Sequence, residues 1–330
     1  MQDPCRSPEP LAWDGERLRI LDQTRLPHEE VVLELAGADD TAQAIERLSV
    51  RGAPLIGVAA AYGLAMEVSR APDLGTLEAA AERLRSARPT AVNLAWAVDR
   101  VRRAALAAGP VRMGGAAREE ADAIRREDEA ASEALARHGA DALEAALPDG
   151  ELRIMTHCNT GALAASGRGT ALGVICELAD RRPVRVVACE ARPLLQGARL
   201  TAWELRRHGI PHELVVDGAA PGLIRRGEVH AVITGFDRVA ANGDVANKVG
   251  TYPLALAAHA AGIPFVAAGP TSSVDPATPT GDDIEIEERD AAEVLRDFAP
   301  EGTAVRNPAF DVTPAELVWA LVTEEGVRRP

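Results

Sequence analysis

The sequence predicts an α/β protein in two parts. The first is an N-terminal helical domain with a small antiparallel sheet, and the second is a domain built on a mainly parallel sheet. Three observations lead there. Residues 39–147 are dominated by Ala-rich runs with helical periodicity. After the turn Pro148-Asp149-Gly150, short β-branched or apolar runs alternate with helical stretches. That alternation is the pattern of βαβ units with right-handed crossovers, so the second domain is expected to be Rossmann-like. Finally, aromatics are only 3% of the 330 residues, so both cores must be made mainly of Ala, Val and Leu. The boundary is placed at the turn, giving domains 1–148 and 149–330.

Taken in order, residues 11–13 and 17–21 flank Asp14-Gly15, a hairpin signal, and 31–35 alternates as a third strand. Asp39, Asp40 and Thr41 are placed to cap a helix over 42–48. Further helices are expected at 53–68, 77–86 and 91–107, and a long charged one at 118–147, whose charges read as a solvated face. In the second part, strands are expected at 152–157, 184–189, 212–216, 231–234 and 265–268. Helices fall between them near 171–180, 197–208, 221–226 and 246–261.

Composition excludes several classes. The formal net charge of −14 argues against a nucleic-acid or anionic-membrane surface. Of the 36 basic residues only one is lysine, Lys248, and it lies outside any GxxxxGK[ST] sequence, so there is no Walker A loop. The four cysteines form no CxxC and are too few for a disulfide scaffold, and the seven histidines lack metal spacing. The N-terminus lacks an apolar signal core. Residues 53–66 are too short to span a bilayer, and 251–274 is interrupted by Pro253, Pro264 and Pro270. The expectation is a cytoplasmic protein without a membrane segment.

In parallel α/β sheets ligands bind beyond the carboxyl ends of the strands. The residues there are Cys158-Asn159, Glu190 and Arg192, Asp217, Asp237-Arg238, and Gly269-Pro270. The chain has five Asn and four Gln, and Asn159, Gln196, Asn242 and Asn247 all fall in these loops or the segments that follow. The sharpest segment is GFDRVAANGDVANKVGTYP, from Gly235. It delivers Asp237 from a strand, then Asn247 and Lys248 near the start of the next helix. Backbone N–H groups, an amide and an ammonium there make an anion site. Arg51-Gly52-Ala53 and Arg88 are further phosphate-reading candidates. Cys158 alone reads more often as buried filler than as a catalyst, and Asp237 alone as a helix cap or a partner of Arg238. His157 is expected on the opposite strand face from Cys158, so no Cys–His pair is expected.

Together these segments resemble the methylthioribose-1-phosphate isomerase family of methionine salvage. The resemblance rests on RGAPLIGVAAAYGLA from Arg51, ARPTAVNLAWA from Ala87, THCNTGALA from Thr156, and EARPLLQGARLTAWEL from Glu190. It continues through the Asp237–Lys248 segment, GDDIEIEERD from Gly281 and RNPAFDVTPAELV from Arg306. Order and spacing agree along nearly the whole chain. The wider superfamily includes ribose-1,5-bisphosphate isomerases and regulatory subunits of translation initiation factor 2B.

The resemblance implies that Arg51, Gly52, Ala53, Arg88, Gln196, Asn247 and Lys248 contact a phosphorylated sugar. It implies that Asp237 is the acid catalyst and Cys158 its partner, in a homodimer without metal or cofactor. The chain departs from the family pattern at Phe236, where a small residue is usual, and at Cys189, where an acid is usual. Both departures bear on the substituent at sugar C5. Three other readings remain open at this level: a non-catalytic regulatory relative, a pyridoxal phosphate enzyme using Lys248, and an isomerase of 5-deoxyribose or another 5-substituted ribose 1-phosphate.

Overall fold

The structure is a computed structural model that describes residues 9–88, 91–296 and 299–329. Cys5, and Pro89 and Thr90 beside Arg88, lie outside the described residues. By packing, the chain falls into two compact units, Ser7–Glu133 with Gly161–Gly169, and Ala134–Thr160 with Thr170–Pro330.

The first unit opens with β1 (Leu11–Trp13), β2 (Leu18–Leu21) and β3 (Val32–Leu35), an antiparallel sheet in the order β1-β2-β3. The Asp14 carboxylate accepts from the amides of Glu16 and Arg17 and so closes the first turn. Helices α1 (Ala38–Glu46), α2 (Ala53–Arg70), α3 (Leu74–Ser86), α4 (Val92–Ala108) and α5 (Met113–Ala146) follow. The first of these starts earlier than its acidic residues imply. Gly37 is its N-cap, and Asp40 turns back to accept from the Ala36 amide.

Helix α2 is apolar nearly all round, from Leu55 to Val68, and is the buried centre of this unit. Its core is mostly Ala, Val and Leu, with Tyr62 fully buried and its hydroxyl donating to Asp122. Helix α5 contributes Ala117, Ala121 and Ile124 to this core, and Leu135, Ala140 and Leu143 to the core of the second unit. The turn at Pro148 ends the helix, but the change of core comes earlier, within α5 itself.

The second unit holds β4 (Leu152–Thr156), α6 (Ala171–Arg181), β5 (Val184–Cys189), α7 (Ala202–Arg207), β6 (His212–Val215), α8 (Ala220–Arg225) and β7 (Ala231–Thr234). Then come β8 (Arg238–Ala240), β9 (Val245–Lys248), α9 (Thr251–Ala261), β10 (Phe265–Ala268), β11 (Val274–Asp275), α10 (Ala292–Leu295), β12 (Phe310–Thr313), β13 (Ala320–Thr323) and β14 (Gly326–Arg328). The main sheet runs β14-β13-β10-β7-β4-β5-β6, parallel except for the edge strand β14.

Strand alternation splits this unit's core in two. Leu152, Ile154, Val186 and Ile233 meet α6, while Met155, Val187, Val232 and Phe265 meet α8 and α9. Helices therefore cover both faces of the sheet, as parallel strands buried on both sides require. The chain starts at β4, runs outward through β5 and β6, and returns to β7 on the other side of β4. The direction of winding thus reverses between β4 and β7, the position at which doubly wound sheets open a crevice.

The second sheet, β11-β8-β9-β12, is absent from the sequence reading. Residues 246–261 were expected to be one helix. Instead 245–248 is a strand, Gly250 turns the chain with φ 106°, and α9 begins at Thr251. Four strand residues beside an Ala-rich helical run are too few to register as a separate period.

Candidate active site at the sheet switch point

Cys158 lies two residues past β4 and Asp237 three past β7, so the two flank the switch point. The strands are in register there, Thr156 opposite Ile233. Cys158 is buried and takes φ 62°, a left-handed conformation uncommon for a side chain with a Cβ. The strand has therefore ended before it, and the expected opposite-face alternation of His157 and Cys158 does not apply.

Hydrogen bonds hold this loop from below. The Thr201 hydroxyl donates to the Cys158 carbonyl oxygen at 2.6 Å, and the Asn159 amide donates to Thr201 Oγ1 and to the buried carboxylate of Glu204. Glu204 was not singled out from sequence, since one acid on a helix carries no signal until its burial is known.

The loop after β5 carries Ala191 and Leu195, both with φ 60°. It leads to Gln196, which is buried, and its Oε1 has no hydrogen-bond partner among the described residues. Residues 197–201 form one turn of the wider π-helix, a local irregularity frequent at functional sites. Gly197 makes that turn possible, because a Cβ on it would sit 1.7 Å from the Cys189 carbonyl oxygen. Thr156 and Thr234, at the ends of β4 and β7, also bury hydroxyls without a partner among the described residues. Buried polar atoms are ordinarily satisfied, so these three set the carboxyl-end edge apart from the rest of the sheet core.

Asp237 is half-buried, and its amide donates to the Ala246 carbonyl oxygen, which ties it to β9. On β9, Asn247 is buried and donates to Thr251 Oγ1 at 2.9 Å. Lys248 is 8% exposed; its Nζ donates to the Ala309 carbonyl oxygen at 2.8 Å and lies 5.0 Å from the centre of the Phe310 ring. Beside it, Asp311 accepts from the amides of Gly250 and Tyr252. Burial pushes the Asp311 carboxyl up to about 6, against those two amides and the Lys248 charge, which pull it down. Asp311 lies inside a matching segment but was not picked out from sequence, because its role depends on β12 pairing with β9.

Asn242 does not belong to this edge. It is exposed and pairs with Asp244 inside the β8–β9 turn. Phe236 and Cys189 sit in one apolar cluster, and a Cβ on Gly269 would come within 2.9 Å of the Phe236 ring. Burial raises the Cys189 thiol to about 12 and holds His157 neutral by pushing its pKa down.

The other candidates belong to the first unit. Arg51 is buried and donates through Nε to Gln23 Oε1 at 2.9 Å, and Gln23 donates on to the Leu163 carbonyl oxygen. Gly52 has φ 92°, and a Cβ there would lie 2.4 Å from the Ala164 carbonyl oxygen. Ala53 opens α2, whose Leu55 amide donates to that same oxygen. Gln23 was missed, although it is one of only four glutamines in the chain. Arg88 is half-buried between α3 and α4, and its carbonyl oxygen accepts from the Ala91 amide.

The chain is similar to known proteins along its whole length. The model of the initiation factor 2 subunit family matches residues 49–330. A methylthioribose-1-phosphate isomerase from Anaeromyxobacter sp. (strain Fw109-5) is 54% identical over 97% of this chain and 95% of its own. One from Pelotomaculum thermopropionicum is 48% identical over 97% and 91%. Among solved structures, 5-methylthioribose 1-phosphate isomerase from Pyrococcus horikoshii OT3 superposes with a TM-score of 0.89 at 38% identity, over 99% of this chain and 94% of the other. Translation initiation factor eIF-2B, subunit delta, from A. fulgidus gives 0.85, also at 38% identity, over 98% and 96%. With a family match over most of its length and isomerases about half identical from end to end, the chain belongs to the initiation factor 2 subunit family, in the branch of the methylthioribose-1-phosphate isomerases.

Proposed function

We propose that this protein is an aldose–ketose isomerase that converts 5-methylthioribose 1-phosphate to 5-methylthioribulose 1-phosphate in methionine salvage. The observation that carries the reading is Cys158 and Asp237 flanking the switch point of a parallel sheet, in a chain 54% identical to an isomerase of that name. Phosphate on the anomeric oxygen prevents the sugar from opening by the usual hemiacetal route. An acid must therefore protonate the ring oxygen, and Asp237 has that role as a general acid. Positive charge then develops at C1, and hydrogen moves from C2 to C1 to give the 1-phosphoketose.

Cys158 acts at C2, either by removing the proton on the C2 carbon through an enolate-like state, or by taking the proton of the C2 hydroxyl as the C2 hydrogen migrates directly to C1 as hydride and the C2 carbonyl forms. Turnover in deuterated water separates the two routes. Deuterium appearing at product C1 would exclude the direct hydride shift. Arg51, Gly52, Ala53, Arg88, Gln196, Asn247 and Lys248 are proposed to contact the sugar phosphate. An assay with purified protein and 5-methylthioribose 1-phosphate tests the activity itself, and no ketose product would refute it in favour of a non-catalytic regulatory relative.

A second reading concerns C5 only. Phe236 packs onto Gly269 in the cluster that also holds Cys189, and so favours a smaller C5 substituent, as in 5-deoxyribose 1-phosphate. Apolar pockets separate such analogues by about 10–200-fold per methylene, so kcat/KM across a C5 series decides.

Homodimer formation and cytoplasmic location belong to the same proposal. Among the described residues no helix is long and apolar enough to cross a membrane. Light scattering on the purified protein checks the dimer.

A further inference from the structure

Three neighbouring strands of the main sheet, β4, β5 and β6, each end on a group able to bind a metal. His157 follows β4, Cys189 closes β5, and Asp217 lies two residues past β6. His157 Nδ1, Cys189 Sγ and a carboxylate oxygen of Asp217 all lie within 4.8 Å of one another, with Nδ1 3.8 Å from Asp217 Oδ1. Nothing in the proposed isomerisation uses these three groups.

The histidine is set up as a ligand. Its side chain is 1% exposed, and Nδ1 has no hydrogen-bond partner among the described residues. Nε2 stands 2.8 Å from the Val249 carbonyl oxygen, which can only accept, so the neutral ring carries its proton on Nε2 and its lone pair on Nδ1. A backbone carbonyl behind the non-ligating nitrogen is the usual outer support of a metal-bound histidine. The carboxylate is supported likewise, since Asp217 accepts from the amides of Ala191 and Arg192 at 2.9 and 2.7 Å. Its side chain is 28% exposed, whereas the imidazole and thiol are buried. A cation could therefore enter from the Asp217 side and keep an open position there.

We propose that His157, Cys189 and Asp217 form a binding site for a zinc-class divalent cation. The nitrogen, sulfur and oxygen donors suit a borderline-soft ion, and three protein ligands leave the fourth tetrahedral position to water. Tetrahedral ligand spacings of roughly 3.3–3.8 Å follow from metal–ligand bonds of about 2.0–2.3 Å. Since the ligand atoms already lie within 4.8 Å of one another, binding contracts the triad by about 1.5 Å at most. The Cys189 thiol loses its proton to solvent as the thiolate–metal bond forms, with no redox change.

The test is a cobalt titration of full-length, chelator-stripped protein. One Co²⁺ per chain is expected, with a thiolate-to-cobalt charge-transfer band and the intense visible bands of four-coordinate cobalt, both abolished by one equivalent of Zn²⁺. Cys189→Ser should lose the charge-transfer band, and His157→Gln should weaken binding by more than about 100-fold, beyond what an outer-shell loss costs. Cys158→Ser and Cys176→Ser should keep both band and stoichiometry. Absence of the band in the unsubstituted protein overturns the proposal, whatever the variants do. So does a band that survives Cys189→Ser, or one that disappears in Cys158→Ser. No arm depends on isomerase activity, so the proposed function and the metal site stand or fall separately.

Discussion

The ammonium of Lys248 donates to the carbonyl oxygen of Ala309 at 2.8 Å, which fixes the chain's one lysine at the β9–β12 pairing. That bond takes one of the three donors on Nζ. The nearby Phe310 ring lies 5.0 Å away and favours a cation at this position. A lysine that is 8% exposed on a strand is not a solvated surface charge. Its burial is tolerable because the charge has these partners.

Replacing Lys248 by Arg tests whether a compact point charge is needed. The guanidinium is planar and broader, so it cannot keep the Ala309 bond and present a donor to a phosphate in the same geometry. KM for the sugar phosphate is expected to rise by about tenfold, some 1.4 kcal/mol, with a smaller change in kcat. Unchanged steady-state constants would return Lys248 to a structural role.

Asp237→Asn and Cys158→Ala address the chemistry directly. Each is expected to lower kcat by more than about 100-fold, the usual contribution of a positioned proton-transfer group. Asp237 is half-buried and Cys158 sits in a loop held by Thr201, so light scattering and thermal melting should show a folded protein in both cases. A near-normal rate in either variant removes that residue from the mechanism.

How much of this was legible in the sequence depends on where the deciding interaction lies. The strands ending at Cys189, Thr234 and Ala268 stand where their β-branched and apolar runs put them, because a buried parallel strand writes its own pattern. The placement of Cys158 and Asp237 just past strand ends was legible for the same reason, since the runs that end at Thr156 and Thr234 show where those strands stop. The β8–β9–β12 sheet was not, because its strands are short and β12 pairs with β9 across a long stretch of chain, Asn247 with Asp311. The left-handed turn at Cys158 and the burial of Glu204 were equally out of reach. Both are products of tertiary packing on residues whose local sequence gives no sign of it.

Glycine positions give a stability test that is independent of activity. At Gly52, with φ 92°, an added Cβ would meet the backbone of Ala164 at 2.4 Å and 2.5 Å. Neither the dihedral nor the backbone neighbour can yield cheaply, so Gly52→Ala is expected to cost about 3 kcal/mol or more. Gly115 is the contrast, since it lies within α5 with open space around it. Gly115→Ala is expected to be neutral or to stabilise by up to about 1 kcal/mol. Urea denaturation of both variants checks the pair, and equal effects would mean that the Gly52 turn is not under the constraint described.

Asp311 makes a prediction about pH. Burial raises its carboxyl from 3.8 to about 6, so the folded state binds this proton more tightly than the unfolded chain does. The stability it contributes is fully present below the unfolded pKa and is lost as pH rises through about 6. The change amounts to at most about 3 kcal/mol, from roughly 1.4 kcal/mol for each tenfold difference in proton affinity between the two states. In Asp311→Asn this titration is absent. Loss of one acceptor for the Gly250 and Tyr252 amides makes the variant less stable at every pH. On top of that constant cost, the gap between the variant and the unsubstituted protein should narrow as pH goes from about 4 to about 7, the range that brackets the two pKa values. Denaturation at a series of pH values reads the gap directly. A gap that stays constant would show that Asp311 is ionised as readily in the folded protein as in the unfolded chain, and one that widens that it is ionised more readily there.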